Sequence, residues 1–420
     1  MAGSRSPLPS QTGNGDNSRQ QALVVGAGPV GLTAALALRS LGISPVVLEA
    51  DSQDTLRAGS RALFLHRESL RLLDRMSPGI APDLAAHGLV WSTKRTVYRG
   101  RQVFSRTYPP SPRDTIPPFV SLRQPDTEDH LRRACLDAGV QVIWSTSVTE
   151  AESTAEQATV VTTDGRRWQS EYVIAADGAR SAVRRSLGIK MCGSRSQSVH
   201  VIVDLEEDPA QPMPVERVFH YRHPSLDGRN VLLIPFAGGW QIDLQCKPGD
   251  DPEQLTDPSS LSEWVPRVVD DRYRDRVRWV STYRFHHVIA ERFTDHHRRI
   301  LLVGEAAHLF APFGARGMNS GIADADAAAS AIVVALAATH PNRSRAAVDD
   351  FDRGRRQAAR HNEQAASAAL SHLRRDRFGA CLLQQAAATL APMFTSFGAW
   401  LDEAPYGPRT PPLSNPSGKY

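Results

Sequence analysis

Three glycines close to the N-terminus have the spacing of a phosphate-binding turn. In the segment LVVGAGPVG, Gly26, Gly28 and Gly31 lie between an apolar run typical of a buried strand and an Ala/Leu-rich run typical of a helix. Such glycines allow a tight turn, a close approach of a pyrophosphate and close helix–strand packing. Glu49 ends the next apolar run, where a carboxylate can accept both hydroxyls of an adenosine ribose and disfavours a 2′-phosphate. The pattern predicts a dinucleotide site; the alternative is a glycine turn that binds nothing.

Two later strand ends carry an acid beside a glycine. Asp177-Gly178 follows the run YVIAA, and Gly304-Glu305 follows RILLV. The second pair leads into the glycine-rich loop PFGARGMNSG and then into an alanine-rich helix, which we expect to begin near Ser320. The loop holds no obvious nucleophile or metal-ligand set. We therefore expect it to bind through its backbone N–H groups and through the positive end of the helix.

The elements that must position these residues form an α/β domain interrupted by a sheet. Residues 22–50 read as strand, helix and strand, which implies a parallel pair. Residues 191–284 read as strands separated by loops rich in Pro, Asp and Gly, which favours an inserted antiparallel sheet. The predicted boundaries are a disordered tail at 1–21, the α/β domain at 22–95, 118–190 and 285–345, the sheet domain at 96–117 and 191–284, C-terminal helices at 346–400, and a surface tail at 401–420.

Composition and charge argue against several functional classes. The net charge is +4, but nearly all 49 basic residues are arginines scattered among acids, which favours a solvated mixed surface over a nucleic-acid face. The four cysteines form no CxxC pair, so we expect a reducing compartment and neither a disulfide framework nor a zinc site. The N-terminus lacks the apolar core of a secretory signal, and no apolar stretch appears long enough to cross a bilayer. The expected protein is cytoplasmic, with no membrane partner and no metal.

Together the motifs resemble one enzyme family. The segments GAGPVG, GSRALFLHRESLRLLDR, LRQPDTEDHL, AADGARSAVR and GEAAHLFAPFGARGMNSGIADA, with Glu49, occur in the order found in single-component (group A) FAD-dependent aromatic hydroxylases, the type of p-hydroxybenzoate hydroxylase. The chain looks most like the 3-(3-hydroxyphenyl)propionate hydroxylase-like and polyketide hydroxylase-like members. The resemblance implies an α/β fold: a Rossmann-like FAD-binding domain with an inserted antiparallel-sheet substrate domain and C-terminal helices.

The resemblance also implies a tightly bound FAD and the residues that hold it. The implied cofactor-binding residues are Gly26, Gly28, Pro29, Val30, Gly31, Glu49, Ala50, Arg61, Gln124, Val148, Asp177, Gly178, Gly304, Glu305, Pro312, Gly314, Gly317, Met318 and Asn319. Glu305 stands where the family usually has an aspartate that holds a ribityl hydroxyl, and its side chain is one methylene longer. The backbone N–H groups of Gly317, Met318 and Asn319 are expected at the pyrimidine edge of the flavin, where fixed donors favour the anionic reduced form.

The implied reaction is aromatic hydroxylation. NAD(P)H would reduce FAD, O2 would add to give a flavin C4a-hydroperoxide, and its distal oxygen would pass to a phenolic or polyketide-like small molecule. Since the chain carries one G-x-G-x-x-G motif, NAD(P)H is expected as a transient co-substrate without a Rossmann domain of its own. We expect no thioredoxin-like domain of the kind found in larger phenol hydroxylases, and a homodimer is left open. The alternatives are an FAD oxidoreductase acting on a non-phenolic substrate and a non-catalytic flavoprotein that binds an aromatic ligand.

The catalytic base is the least specific prediction, because any one polar residue on a sheet is more often structural than catalytic. We place His220 and Tyr221 first, since both lie mid-strand among apolar neighbours. The other candidates on the predicted strands are His200, Gln241, Asp243, Tyr283, His286 and His287. His308, inside GEAAH, is expected to fix the loop by packing.

Overall fold

The computed structural model describes residues 20–55, 62–109, 116–373 and 378–408. The strands are β1 (Gln20–Val25), β2 (Val46–Leu48), β3 (Phe64–His66), β4 (Thr93–Tyr98), β5 (Arg101–Thr107), β6 (Phe119–Ser121), β7 (Gln141–Ile143), β8 (Val148–Ser153), β9 (Ala158–Thr162), β10 (Arg167–Ala175), β11 (Met191–Glu206), β12 (Glu216–Tyr221), β13 (Val231–Phe236), β14 (Gly239–Gln245), β15 (Val277–Ala290), β16 (Ile300–Leu302) and β17 (His308–Leu309). The helices are α1 (Pro29–Ser40), α2 (Arg67–Met76), α3 (Ile80–His87), α4 (Gln124–Asp137), α5 (Ala182–Ser186), α6 (Pro252–Thr256), α7 (Pro258–Val268), α8 (Arg316–Ala337), α9 (Pro341–Leu373), α10 (Phe378–Leu390) and α11 (Thr395–Glu403).

The first sheet has β1 near its centre. Strands β7, β2, β1, β10 and β16 are parallel to their neighbours, and β9 and β8 continue the sheet from β10 in antiparallel pairing. Leu23 and Val24 of β1 are both fully buried, as expected for a parallel strand covered on both faces. Helices α1 and α8 pack against each other and against this sheet. The carboxyl ends of β1, β10 and β16 therefore meet at one edge, where the three acid- or glycine-bearing motifs follow them.

The second sheet is the floor of the inserted domain. Its eight strands run in the order β17, β15, β11, β14, β13, β12, β4 and β5. The predicted antiparallel sheet is confirmed, with one exception. Strands β12 and β4 pair in parallel, and β4 comes from a part of the chain before the main insertion. Side chains alternate between the two faces of a strand. One face of strands β11, β14, β13 and β12 therefore points towards the first domain and contributes residues to a shared site.

Several predicted boundaries also differ from the structure. Gln20 and Gln21 belong to β1 rather than to a tail, Thr93–Arg95 belong to the second sheet, and β15 continues to Ala290. Helix α8 begins at Arg316, one turn earlier than expected. The supposed surface tail begins with buried residues, since Leu401 and Asp402 are fully buried in α11. An ion pair between Asp402 and Arg217 explains this, because it ties α11 to the sheet.

Helix α8 is the one helix of the described ranges that is long and apolar enough to cross a membrane by composition. It packs between α1 and α9, and Ile322, Ala325 and Ala329 on it are fully buried. A core helix passes the same compositional test.

Candidate active site

A cavity of about 2180 Å³ lies between the edge of the first sheet, the floor of the second sheet and the C-terminal helices. Most of the cofactor-binding residues predicted from the sequence line it: Gly26, Gly28, Pro29, Val30, Glu49, Ala50, Gln124, Val148, Asp177, Gly178, Glu305, Pro312, Gly314, Gly317 and Met318. Gly31, Gly304 and Asn319 are not among its lining residues, and Arg61 lies outside the described residues. Residues distant in the chain therefore meet at one site because three parallel strands end there.

The first glycine turn is set by close backbone packing. Gly26 has a φ of +99°, and a Cβ on it would lie 2.5 Å from the carbonyl oxygen of Ala176. A Cβ on Gly31 would lie 1.9 Å from the carbonyl oxygen of Gly26, so Gly31 supports the turn from behind. Helix α1 begins at Pro29, and the preceding Gly28 provides no side-chain cap. The first N–H groups of α1 therefore face the cavity with the positive end of the helix.

Glu49 is held at the end of β2 with its carboxylate in the cavity wall. One of its oxygens accepts a hydrogen bond from the backbone N–H of Ala27, and the other accepts one from the N–H of Asp51 at 2.9 Å. The side chain is 4 % exposed, so these donors compensate for its burial. A carboxylate has about four acceptor sites. At the end of β2, in the cavity wall, the Glu49 carboxylate lies where such a group meets the hydroxyls of an adenosine ribose.

Two further acids bring acceptors into the cavity. Asp177 accepts a hydrogen bond from the N–H of Val183 at 3.0 Å through Oδ2, while its Oδ1 is buried without a partner among the described residues. Glu305 follows Gly304 at the end of β16, and its side chain is exposed to the cavity. Buried acceptors without donors are rare in proteins, so the Asp177 oxygen indicates a bound group that carries a donor.

Hydrogen bonds of the Asn319 side chain hold the glycine-rich loop in place. The Asn319 side-chain amide donates to the carbonyl oxygens of Phe64, at 2.8 Å, and Ala315, at 2.7 Å. Its oxygen accepts hydrogen bonds from the N–H of His66 and the hydroxyl of Ser69. The Asn319 side chain therefore fixes the loop, and only its backbone lies in the first turn of α8. The N–H groups of Gly317 and Met318 are in that same turn, which has no side-chain cap from Ala315.

A buried ionic cluster supports the loop from the other side. Asp324 on α8 accepts hydrogen bonds from His308 Nε2 at 2.6 Å, from Arg355 Nε at 2.6 Å and from the N–H of Gly304 at 3.1 Å. Although burial opposes it, the charges of Arg355 and His308 lower the pKa of Asp324 to about 2. The ionised carboxylate therefore links α8 and α9 to the strand that ends in Gly304-Glu305.

This half of the cavity fits FAD. It provides two helix N-termini without side-chain caps, a carboxylate at the end of β2, an unpartnered oxygen on Asp177 and a turn that excludes any Cβ. A model of the FAD binding domain family matches residues 19–366. The chain belongs to this FAD binding domain family.

Two curated relatives agree with this membership. The chain is 32% identical over 324 residues to a 3-(3-hydroxy-phenyl)propionate/3-hydroxycinnamic acid hydroxylase of Mycobacterium avium, covering 72% of this chain and 53% of the relative. It is 31% identical over 320 residues to the 6-methylpretetramide 4-monooxygenase of Streptomyces rimosus, covering 73% of this chain and 54% of that protein. The chain thus spans about half the length of these curated relatives.

The fold is shared with a solved monooxygenase structure. The p-nitrophenol 4-monooxygenase of Pseudomonas putida superposes with a TM-score of 0.74 at 23% identity, over 93% of this chain and 99% of that chain. At this level of identity the likeness concerns the fold. It confirms the predicted combination of an FAD-binding domain, a sheet domain and C-terminal helices in this family member.

The sheet side of the cavity contains a histidine–aspartate pair. His200 on β11 and Asp243 on β14 are joined by an Nδ1···Oδ1 contact of 2.5 Å, and both line the cavity. His200 is 3 % exposed, and its Nε2 is buried without a partner among the described residues. Phe285 and Phe313 pack on the imidazole at centroid distances of 4.5 and 5.9 Å. Phe313 belongs to the glycine-rich loop, so the pair lies beside the part of the site expected to hold the flavin ring.

The two residues that we ranked first as catalytic lie outside this site. Neither His220 nor Tyr221 is among the residues that line the cavity. The Tyr221 hydroxyl is buried and bonded to His372 Nε2 at 2.9 Å and to the carbonyl oxygen of Leu401 at 2.7 Å. Burial, helped by His223 and Arg95, lowers the pKa of His220 to about 4. Their apolar neighbours mark packing positions, so the assignment of a catalytic role to them is corrected.

His200 and Asp243 were two of several candidates from the sequence, and their pairing was missed. They are distant in the chain, and only the strand register brings β11 beside β14. The one available signal was the position of each polar residue within an otherwise apolar strand.

Proposed function

We propose that this protein is an FAD-dependent monooxygenase that uses NAD(P)H and O2 to hydroxylate a phenolic or polyketide-like aromatic small molecule. The observation that carries the proposal is the continuity of the cavity: one space joins the FAD-binding motifs to the His200–Asp243 pair and to the apolar residues of the second sheet. A site that bound FAD alone would have no need of that second half. When bound, FAD supplies the redox chemistry, accepting hydride from NAD(P)H and activating O2.

The residues of the first domain would hold the cofactor. The first turn of α1 would bind the pyrophosphate, and Glu49 would accept the ribose hydroxyls. Asp177 and Glu305 provide carboxylate oxygens for hydroxyl donors of the cofactor. The N–H groups of Gly317 and Met318, with the positive end of α8, would stabilise negative charge on the reduced ring.

The His200–Asp243 pair would remove a proton from the substrate hydroxyl. An ionised Asp243 accepts the Nδ1–H of His200, and this leaves the Nε2 lone pair of the neutral imidazole as an acceptor. A phenol that donates to Nε2 becomes more electron-rich as its proton moves, which favours attack by an electrophilic oxygen. Phe285 and Phe313 exclude water from the imidazole, so the proton can be held where the ring is bound.

The first experiment measures bound flavin and turnover together. Purified protein should carry FAD with an oxidised-flavin absorption spectrum, and a phenol from a test panel should accelerate NADH or NADPH oxidation and be recovered with oxygen from labelled O2. A protein that takes up no FAD would refute the proposal. A dehydrogenated product formed without consumption of NAD(P)H would favour the oxidoreductase alternative, and binding without turnover would favour a non-catalytic flavoprotein.

The second experiment tests the proton acceptor. His200→Gln and Asp243→Asn should keep FAD and lower kcat for hydroxylation by about 10² or more, the usual range for general-base catalysis. His296→Gln, a change on the exposed surface, should have no such effect. Equal hydroxylation rates in all three variants would refute the role of the pair.

A homodimer and a cytoplasmic location stay predictions.

A further inference from the structure

Two histidines and one aspartate form a cluster between α3 and α4, outside the cavity. Asp83 and His87 belong to α3, and His130 belongs to α4. Because residues four apart on a helix share a face, Asp83 and His87 project from the same side of α3. None of the three side chains lines the FAD cavity, so the proposed reaction does not use them. Within the described part of the chain, their ligand atoms all lie within 4.8 Å of one another.

Both imidazoles face the same carboxylate. Nδ1 of His130 lies 2.5 Å from Oδ2 of Asp83, and Nδ1 of His87 lies 3.3 Å from Oδ1. The two rings are 4.8 Å apart between centroids. Among the described residues, no lysine or arginine pairs with the Asp83 carboxylate. With neutral imidazoles the cluster therefore carries one negative charge, which favours a bound cation.

The kinds of ligand atom select the cation. Two imidazole nitrogens and one carboxylate oxygen suit Zn²⁺ and similar transition metals, whereas Mg²⁺ and Ca²⁺ prefer sets of oxygen ligands. Ligand atoms around tetrahedral zinc are about 3.3 Å apart, which is close to the spacing of the carboxylate from the two imidazoles. The His87 Nδ1 also contacts the backbone carbonyl oxygen of Asp83 at 2.9 Å. A metal would replace this contact, and each imidazole would then keep its proton on Nε2.

We propose that Asp83, His87 and His130 bind a divalent transition metal of the zinc class, which bridges α3 and α4. His130 is 5 % exposed and is held in place, whereas Asp83 and His87 are exposed and can close on the ion. Water would occupy the fourth position. Ala85 on α3 and Gln124 at the start of α4 line the FAD cavity, so the metal would hold two parts of its wall together.

The first test is titration calorimetry of Zn²⁺ into the FAD-loaded full chain after treatment with a chelator. We expect one Zn²⁺ per chain with a Kd on the order of 1 µM, weaker than a four-ligand structural site. A large excess of Mg²⁺ should not displace it. His87→Gln removes one exposed ligand and should weaken binding by at least about 10–100-fold, the cost of losing even an outer-shell partner. His296→Gln is the matched control, because it removes one exposed histidine beside His297 and should leave the Kd unchanged.

The second test locates the metal by amide hydrogen exchange. Zn²⁺ should slow exchange in both α3 and α4 of the wild type, and in neither helix of His87→Gln. Asp83→Asn should also weaken binding; if it fails to fold because His130 loses its partner, His87→Gln decides.

Three outcomes would overturn the proposal: no Zn²⁺ binding by the wild type, equal affinity in the wild type and His87→Gln, or slower exchange in only one of the two helices. Since the cluster lies outside the cavity, a chain that takes up no FAD can be tested in the same way. That result would refute the proposed function without deciding the metal site.

Discussion

Helices α1 and α8 pack against each other beside the FAD cavity, and Val30 of α1 lies at a point of close approach between them. A Cβ built on Gly321 of α8 would lie 2.4 Å from Val30 Cγ2, and one built on Gly304 would lie 3.0 Å from the same atom. Val30 therefore occupies a space lined by two glycines, at the wall of the FAD cavity. We predict that Gly321→Ala separates the helices and is relieved by Val30→Ala, which removes the opposing methyl groups.

The magnitude follows from two opposing terms. Alanine in a helix is more favourable than glycine by about 1 kcal/mol. Overpacking of a close-packed core costs about 1–3 kcal/mol. Gly321→Ala should therefore destabilise by up to about 2 kcal/mol in the wild-type background, and it should stabilise by up to about 1 kcal/mol in the Val30→Ala background. The coupling energy between the two positions, free of the propensity term, should be about 1–3 kcal/mol.

Urea unfolding of the FAD-free protein gives the free energy of unfolding of the wild type, Gly321→Ala, Val30→Ala and the double variant. FAD titration of each of these four proteins reports the geometry of the site. Gly354→Ala on α9 is the matched control, because a Cβ there meets no atom within 4 Å. That control should gain stability by about 0.5–1 kcal/mol. If Gly321→Ala were as stable as Gly354→Ala, or if Val30→Ala gave no relief, the inferred contact would be refuted.

Three further perturbations test separate parts of the site. Gly28→Val should abolish FAD binding, because its side chain would stand between the first turn of α1 and the pyrophosphate; retention of stoichiometric flavin by absorbance would contradict this. Glu305→Asp should bind FAD at least as tightly as the wild type if the carboxylate holds a ribityl hydroxyl, and a large increase in Kd would mean that the longer side chain is specifically fitted. Burial first, then His223 and Arg95, lowers the pKa of His220 from 6.5 to about 4. The contribution of neutral His220 to stability is fully present above pH 6.5 and is lost as the pH falls towards 4, because the unfolded chain takes up the proton first. The loss in the free energy of unfolding should be about 3 kcal/mol at most. Urea unfolding between pH 7 and pH 4.5 should thus show a smaller loss of stability in His220→Gln than in the wild type, and parallel curves would refute the assignment.

Short-range patterns in the sequence were sufficient for the FAD half of the protein. The glycine turn at Gly26, the acid at Glu49 and the motif after β16 depend on residues close together in the chain, and their local geometry follows from glycine conformations and helix termini. Fold class and membership in a flavin-binding family could therefore be predicted, and most of the predicted cofactor-binding residues line the cavity. The sequence did not predict roles that depend on side-chain partners distant in the chain. Asn319 is an example, because its side chain fixes the loop to β3.

Strand register, an outcome of tertiary structure, decided the substrate half. Whether a histidine on a strand lies outside the cavity, as His220 does, or beside an acid in the cavity wall, as His200 does, depends on which face of the sheet it occupies and which strand lies beside it. Likewise, Arg217 is paired in the sheet domain only because Asp402, far along the chain, reaches it from α11. Sequence alone carries the local conformations, whereas contacts between distant segments form only when the sheet and the C-terminal helices pack together.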